Sequence, residues 1–266
     1  MLAEIHGKIS RSGSNLRTTS EDNLTGNVFG ALRYAPFNRI MKKILVKSIH
    51  AKTAKTENEA KHIIEAIDAD FWDDNIEFWP YHNNGELDAC LKFENAIIGI
   101  EVKYNSPMSD GEDDISYDTD AEPVESKKQL AREAKIVGEW ALGREPILIL
   151  LAKKHFAKEI TKTFDEQKIK AGVRLCYIGW EDFLESVKQI TDEENDKFYR
   201  LILTDVANLL VRKGFEKFSS FGVLETLPSV YLEHGHYIFE EKAEELNKKL
   251  SFCFDEVITK EDYYEF

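Results

Sequence analysis

Pro146 opens a run of aliphatic residues, Ile147-Leu148-Ile149-Leu150-Leu151, with no side chain suited to water. Successive side chains of a strand alternate between faces, so a strand of this composition needs cover on both. The flanking segments can supply it. A helical pattern from about Ser126 to Leu142 carries Leu130, Ala134, Val137 and Ala141 on one stripe and ends at Gly143. Beyond the apolar run, a helical stretch over about 153–168 leads to a second strand, Val173 to Ile178. Helices follow over about 181–190 and 194–213, the last stopped by Gly214.

The N-terminal half has comparable punctuation. Ser20 is an N-cap candidate for a helix carrying Leu24, Val28, Ala31 and Leu32, which should stop by Ala35 because Pro36 disfavours the α region before it. Pro36 suits the first turn of a second helix with an apolar stripe of Phe37, Ile40, Met41, Ile44 and Leu45. Thr56-Glu57-Asn58-Glu59 matches a capping box for a third, with Ile63, Ile64 and Ile67. Asn75 to Trp79 reads as a strand, followed by a turn at Asn83-Asn84-Gly85. Helix, three strands, helix, strand, helix, strand predicts an α/β fold with a central mixed sheet flanked by helices.

Two of those strands carry chemistry. Gly85-Glu86-Leu87-Asp88-Ala89-Cys90-Leu91-Lys92-Phe93 reads as one strand and Ile97-Ile98-Gly99-Ile100-Glu101-Val102-Lys103 as the next. Glu101 and Lys103 are two apart and share a face, and in a hairpin Asp88 lies across from them. Two carboxylates beside a lysine can hold a divalent cation and manage a water that attacks a phosphodiester. Glu-x-Lys by itself is a weak signal in a chain with 32% charged residues. Its place at the end of an apolar strand, thirteen residues after an aspartate, gives it weight. A strand-end ion pair with a turn aspartate is the bland alternative.

The segment Gly85-Glu86-Leu87-Asp88-Ala89 with Ile100-Glu101-Val102-Lys103 resembles the core of the PD-(D/E)XK, or restriction-endonuclease-like, nucleases. Ser20-Glu21-Asp22-Asn23-Leu24-Thr25 resembles the acid-bearing first helix of several branches, and Gln129-Leu130-Ala131-Arg132-Glu133 a glutamine-bearing helix of others. The likeness covers about residues 20–180 and departs where Leu87 replaces the motif proline. It implies that Asp88 and Glu101 bind Mg²⁺, for which Mn²⁺ can substitute, with the Val102 carbonyl as a further ligand. It implies that Lys103 orients or deprotonates the water, that Glu21 supports the metal, and that Gln129 positions Lys103, water or phosphate. The expected partner is DNA, the expected activity that of a Mg²⁺-dependent deoxyribonuclease, and the expected role defence against foreign DNA or DNA repair. Cutting two strands with one site per chain further implies a homodimer or a partner subunit.

Charge bears on that expectation. The chain of 266 residues has a formal net charge of −14, whereas nucleic-acid binding usually shows a basic footprint. Eight of the acids fall between 104 and 125, which has no Lys or Arg and reads as an acidic loop; setting it aside leaves −6. Arg39, Lys43 and Lys47, four apart with Lys42 nearby, form the best candidate for touching phosphates, against a solvated helix face. A catalytically silent scaffold of the same fold and an acidic inhibitor that mimics DNA are the alternatives.

Cys90, Cys176 and Cys253 are scattered, which argues against a disulfide framework or a zinc site and fits a reducing cytosol. With no apolar signal core at the N-terminus and no membrane-length apolar run, the expectation is a cytoplasmic protein. His234-Gly235-His236 has no partner at metal-ligand spacing and reads as surface. There is no phosphate-binding GxxxxGK[ST] loop, so no nucleotide cofactor is expected. The expected organisation is an N-terminal arm over 1–19, a nuclease-like core over 20–214, and a C-terminal extension over 215–266 as an oligomer or partner contact.

Overall fold

A computed structural model describes residues 21–104, 121–170, 172–216, 230–233 and 236–239. The chain divides into two compact units, Met1–Lys217 and Phe218–Phe266. Of the second unit, the described part is a hairpin of β9 (Val230–Glu233) and β10 (His236–Phe239), in a stretch where sequence alone predicts no strands.

The first unit is built on a six-stranded mixed sheet in the order β1 (Ile49–Ala51), β8 (Arg174–Gly179), β7 (Glu145–Ala152), β6 (Ala96–Val102), β5 (Ala89–Lys92) and β2 (Ile76–Phe78). Strands β6, β7 and β8 run parallel, and the remaining pairings are antiparallel. The α/β class and the mixed sheet with flanking helices match the expectation.

Alternation along the strands divides the interior in two. Ile98, Ile100, Val102, Ile147, Ile149 and Leu151 face one layer, with α1 (Glu21–Leu32), α2 (Lys42–Ser48), α6 (Trp180–Glu193) and α7 (Lys197–Arg212). Ile97, Leu148, Leu150, Leu175 and Tyr177 face the other, under α4 (Ala121–Trp140) and α5 (Lys154–Thr163). The two crossovers β6–α4–β7 and β7–α5–β8 therefore cover the same face. Every residue of β6 is buried, as a central strand covered on both faces requires.

Four local readings need correction. The third helix, α3, spans Ala54–Glu65 and is capped by Thr53, whose Oγ1 accepts from the Thr56 N–H at 3.2 Å, so Thr56 sits inside the first turn. The residues after Pro36 form a π-turn, Phe37–Met41, before α2 begins. The expected long strand 85–93 is split: β4 (Gly85–Glu86) pairs with β3 (Tyr81–His82) in a separate ribbon, and β5 begins only after Asp88. Strand β1 is short, bears a histidine and lacks periodicity, so sequence does not mark it.

Part of the acidic segment is helical, since α4 starts at Ala121; residues 105–120 lie outside the described residues, as do Ser20, the N-terminal arm and Cys253. Cys90 and Cys176 are free and buried, and burial pushes both thiols up to about 12. Among the described residues no helix is long and apolar enough to cross a membrane.

Candidate active site

The end of β6 sets the position of the site. Ile100 and Val102 face the α1/α6 layer, so Glu101 between them faces α4. The β5–β6 register pairs Ala89 with Ile100, which carries Asp88 to the position across from Glu101. Trp79 adopts φ +48° where the chain leaves β2, and its N–H donates to the Asp88 carbonyl at 3.1 Å. The Val102 N–H donates to Asp88 Oδ2 at 2.7 Å, which holds the carboxylate against the strand.

Lys103 continues the ladder, its N–H donating to the Leu151 carbonyl at 2.8 Å while its own carbonyl accepts from Trp180 Nε1 at 3.1 Å. Its ammonium lies 2.7 Å from Glu101 Oε1 and 3.6 Å from Glu21 Oε2. Glu21, in the first turn of α1, accepts from the Tyr104 N–H at 3.0 Å. From α4, Gln129 Nε2 donates to Glu101 Oε1 at 2.6 Å.

Asp88, Glu101, Lys103, Gln129 and Glu21 thus line one cleft of about 430 Å³, joined by Asp22, Arg132 and Glu133 and by the ribbon residues Asn84–Glu86. Val102 contributes its N–H to Asp88, and its side chain lies in the opposite layer. Arg39, Lys42, Lys43 and Lys47 do not line the cleft. Arg39 pairs with the buried Glu194, Lys47 with Gln189 (3.2 Å) and Glu193 (3.6 Å), and Lys42 donates to the Glu65 carbonyl at 3.3 Å.

Glu133 is the residue that sequence reasoning quoted without assigning it a role. It lies one helical turn beyond Gln129 and is 2% exposed. Its carboxylate interacts with Glu101 and Gln129, and Asp88 and Lys103 lie nearby. The spacing from Gln129 was the available signal, since i and i+4 share a helix face.

Burial dominates the electrostatics. It raises Asp88 and Glu101 well above the ordinary carboxylate range, reinforced by Glu101 at Asp88 and by Glu133 at Glu101. Glu133 is pushed up to about 7, again chiefly by burial. At Lys103 burial alone would lower the pKa, but Glu101, Glu21 and Asp88 together outweigh it and the net shift is upward.

The donor set suits a hard cation. The carboxylates supply only oxygen, and the one ammonium does not balance them. Among the described residues no three His, Cys, Asp or Glu side chains form a ready-made metal cage. Mg²⁺ does not require one, because one or two carboxylates hold it while it keeps several waters. The chain matches no protein-family model, no curated protein and no solved structure.

Proposed function

We propose that this protein is a metal-dependent nuclease with a restriction-endonuclease-like core, hydrolysing DNA phosphodiester bonds. The observation that carries the reading is the convergence of Asp88, Glu101 and Lys103 in one cleft, with Glu21 and Gln129 arriving from two different helices. A strand-end ion pair at the surface would not be buried, nor would it gather two further polar groups from distant parts of the chain.

A divalent cation such as Mg²⁺ or Mn²⁺ held by Asp88 and Glu101 supplies charge that polarises the scissile phosphate and makes water a better nucleophile. Lys103 orients the attacking water and offsets charge developing on the phosphorane. Gln129 fixes the rotamer of Glu101, and Glu21 fixes the position of the chain at Tyr104 while facing the Lys103 ammonium. Each role is one of holding or orienting, and one of these residues misplaced by about 1 Å can cost on the order of 10²-fold in rate.

Backbone contact falls to exposed cations near the cleft. Lys128, Arg132 and Lys135 are exposed along one stripe of α4, and none makes an ion pair with a described residue. Arg132 lines the cleft itself. This stripe is better placed to touch phosphates at the cleft than Arg39 or Lys47, which are engaged with the end of α6. A homodimer that presents two clefts to the two strands, and a role in defence or repair, belong to the same proposal by analogy with the family it resembles.

Supercoiled plasmid and single-stranded DNA, incubated with the full chain in Mg²⁺ or Mn²⁺ and in EDTA, test this reading. The expected result is cutting that requires the cation and is lost in Asp88→Asn and Glu101→Gln. Cutting that survives EDTA or both substitutions would refute it.

A further inference from the structure

We infer that Trp180 is a positioning residue for Lys103, holding the end of β6 in the extended geometry that aims the ammonium at the cleft; the inference rests on the nuclease reading of that cleft. Strand β6 pairs with β7 as far as Val102 and Leu151, and the Lys103 N–H still donates to the Leu151 carbonyl at 2.8 Å. Beyond Ala152 the chain turns into α5, which begins at Lys154. The Lys103 carbonyl accepts from Trp180 Nε1 at 3.1 Å, so an indole from outside the β6–β7 pair holds the residue at which the ladder ends. Glu101 and Lys103 share a face only while the backbone between them stays extended. In that geometry the Lys103 ammonium lies 2.7 Å from Glu101 Oε1.

Trp180 is itself fixed. It is the first residue of α6 and follows Gly179, the partner of Ala152 at the end of β8. A Cβ at Gly179 would lie 2.6 Å from Lys154 Cβ, so the glycine permits the close approach of β8 to the start of α5. The indole is fully buried and touches two rings. It stacks on Phe215, with centroids 5.3 Å and planes 19° apart, and meets Phe183 edge-on at 5.6 Å. Phe215 also meets Tyr104 edge-on at 5.7 Å, while the Tyr104 N–H donates to Glu21. The two residues that follow Val102 are thus held from α6 and from the segment after α7. A buried indole N–H usually finds a partner. Here that partner is the backbone of the residue proposed to orient the attacking water.

Cleavage of end-labelled DNA in Mn²⁺ and amide hydrogen exchange without metal are measured on the full chain. The variants are Trp180→Phe, Lys103→Ala, the two combined, Phe215→Leu, and Leu203→Ala as a control that opens a cavity in the same layer. Phenylalanine keeps a buried ring and removes the N–H. The expected result in Trp180→Phe is a kcat lowered about tenfold or more with KM unchanged, because slight misplacement of a reacting group is costly. Exchange of the amides at Lys103 and Tyr104 quickens in the same variant. Added to Lys103→Ala, Trp180→Phe costs little more, since its effect passes through Lys103. Phe215→Leu loosens the ring without removing the N–H and shows a smaller loss of kcat, which preserves the comparison should Trp180→Phe fold poorly. Leu203→Ala keeps the wild-type kcat below its unfolding transition. Wild-type kcat in Trp180→Phe, an equal loss with and without Lys103, or a matching loss in Leu203→Ala would overturn the role of Trp180 and leave the nuclease reading standing. Absence of metal-dependent cleavage in the wild type would overturn that reading and this inference with it.

Discussion

At the scale of single residues, polar groups in this protein divide into those that hold the fold and those gathered at the cleft. Arg39 belongs to the first kind. Its guanidinium pairs with Glu194, whose side chain is 3% exposed and also accepts from the Asp196 N–H at 2.7 Å, and it lies over the Tyr199 ring at 5.4 Å. Arg39→Ala strands a buried carboxylate, while the remaining Asp196 contact and the half-exposed position of Arg39 limit the damage. A loss of about 1–3 kcal/mol is expected, read as a lower urea midpoint. An unchanged midpoint with weakened DNA binding would instead assign Arg39 to the phosphate contacts that its spacing with Lys43 and Lys47 suggests. Asp88, Glu101, Lys103, Gln129 and Glu21 could all be picked from the sequence because their residue types and order resemble a known pattern. Glu133 could not, because its significance depends on burial beside Glu101, and a glutamate on a helix is ordinarily solvated.

At the scale of elements, the close approach of α4 to β6 decides whether the cleft exists. Gly99 makes that approach possible: a Cβ there would run into Val137 Cγ2 and crowd Leu87 Cδ1 at 3.3 Å. Gln129 and Glu133 lie two turns and one turn before Val137 on the same helix. Gly99→Ala should therefore cost about 1–3 kcal/mol by overpacking and should also reduce metal-dependent cleavage as α4 shifts outward. A variant with wild-type melting temperature and activity would show that the contact is not needed. The long elements were legible from periodicity and from Gly and Pro punctuation. What escaped were features set by tertiary context: the three-residue β1, which owes its existence to pairing with β8, and the cap at Thr53. The break at Leu87 and Asp88 escaped for a related reason. The β3–β4 ribbon turns away from the sheet there, so a uniform apolar-to-polar pattern conceals two strands with different partners.

At the scale of the whole molecule, the sheet order and the acidic balance jointly frame the function. The parallel trio β6, β7 and β8, with two crossovers on one face, carries α4 over the C-terminal end of β6 and so places a helix beside Glu101 and Lys103. The mixed sheet was predictable from the alternation of helices and strands; the restriction-endonuclease-like core is a proposal that rests on the residues of the cleft. With a net charge of −14, the proposed nucleic-acid contact would fall to local cations such as the exposed stripe on α4.

The most direct test of the central claim separates chemistry from binding at Lys103. Wild type and Lys103→Ala are compared for Mn²⁺ binding and for cleavage of end-labelled DNA in the same buffer. The account predicts that Lys103→Ala still binds Mn²⁺, since Asp88 and Glu101 remain, while cleavage falls by at least about 10²-fold. Cleavage by Lys103→Ala at the wild-type rate would contradict the account, and would leave the buried cluster as a structural feature of a protein that does not cut.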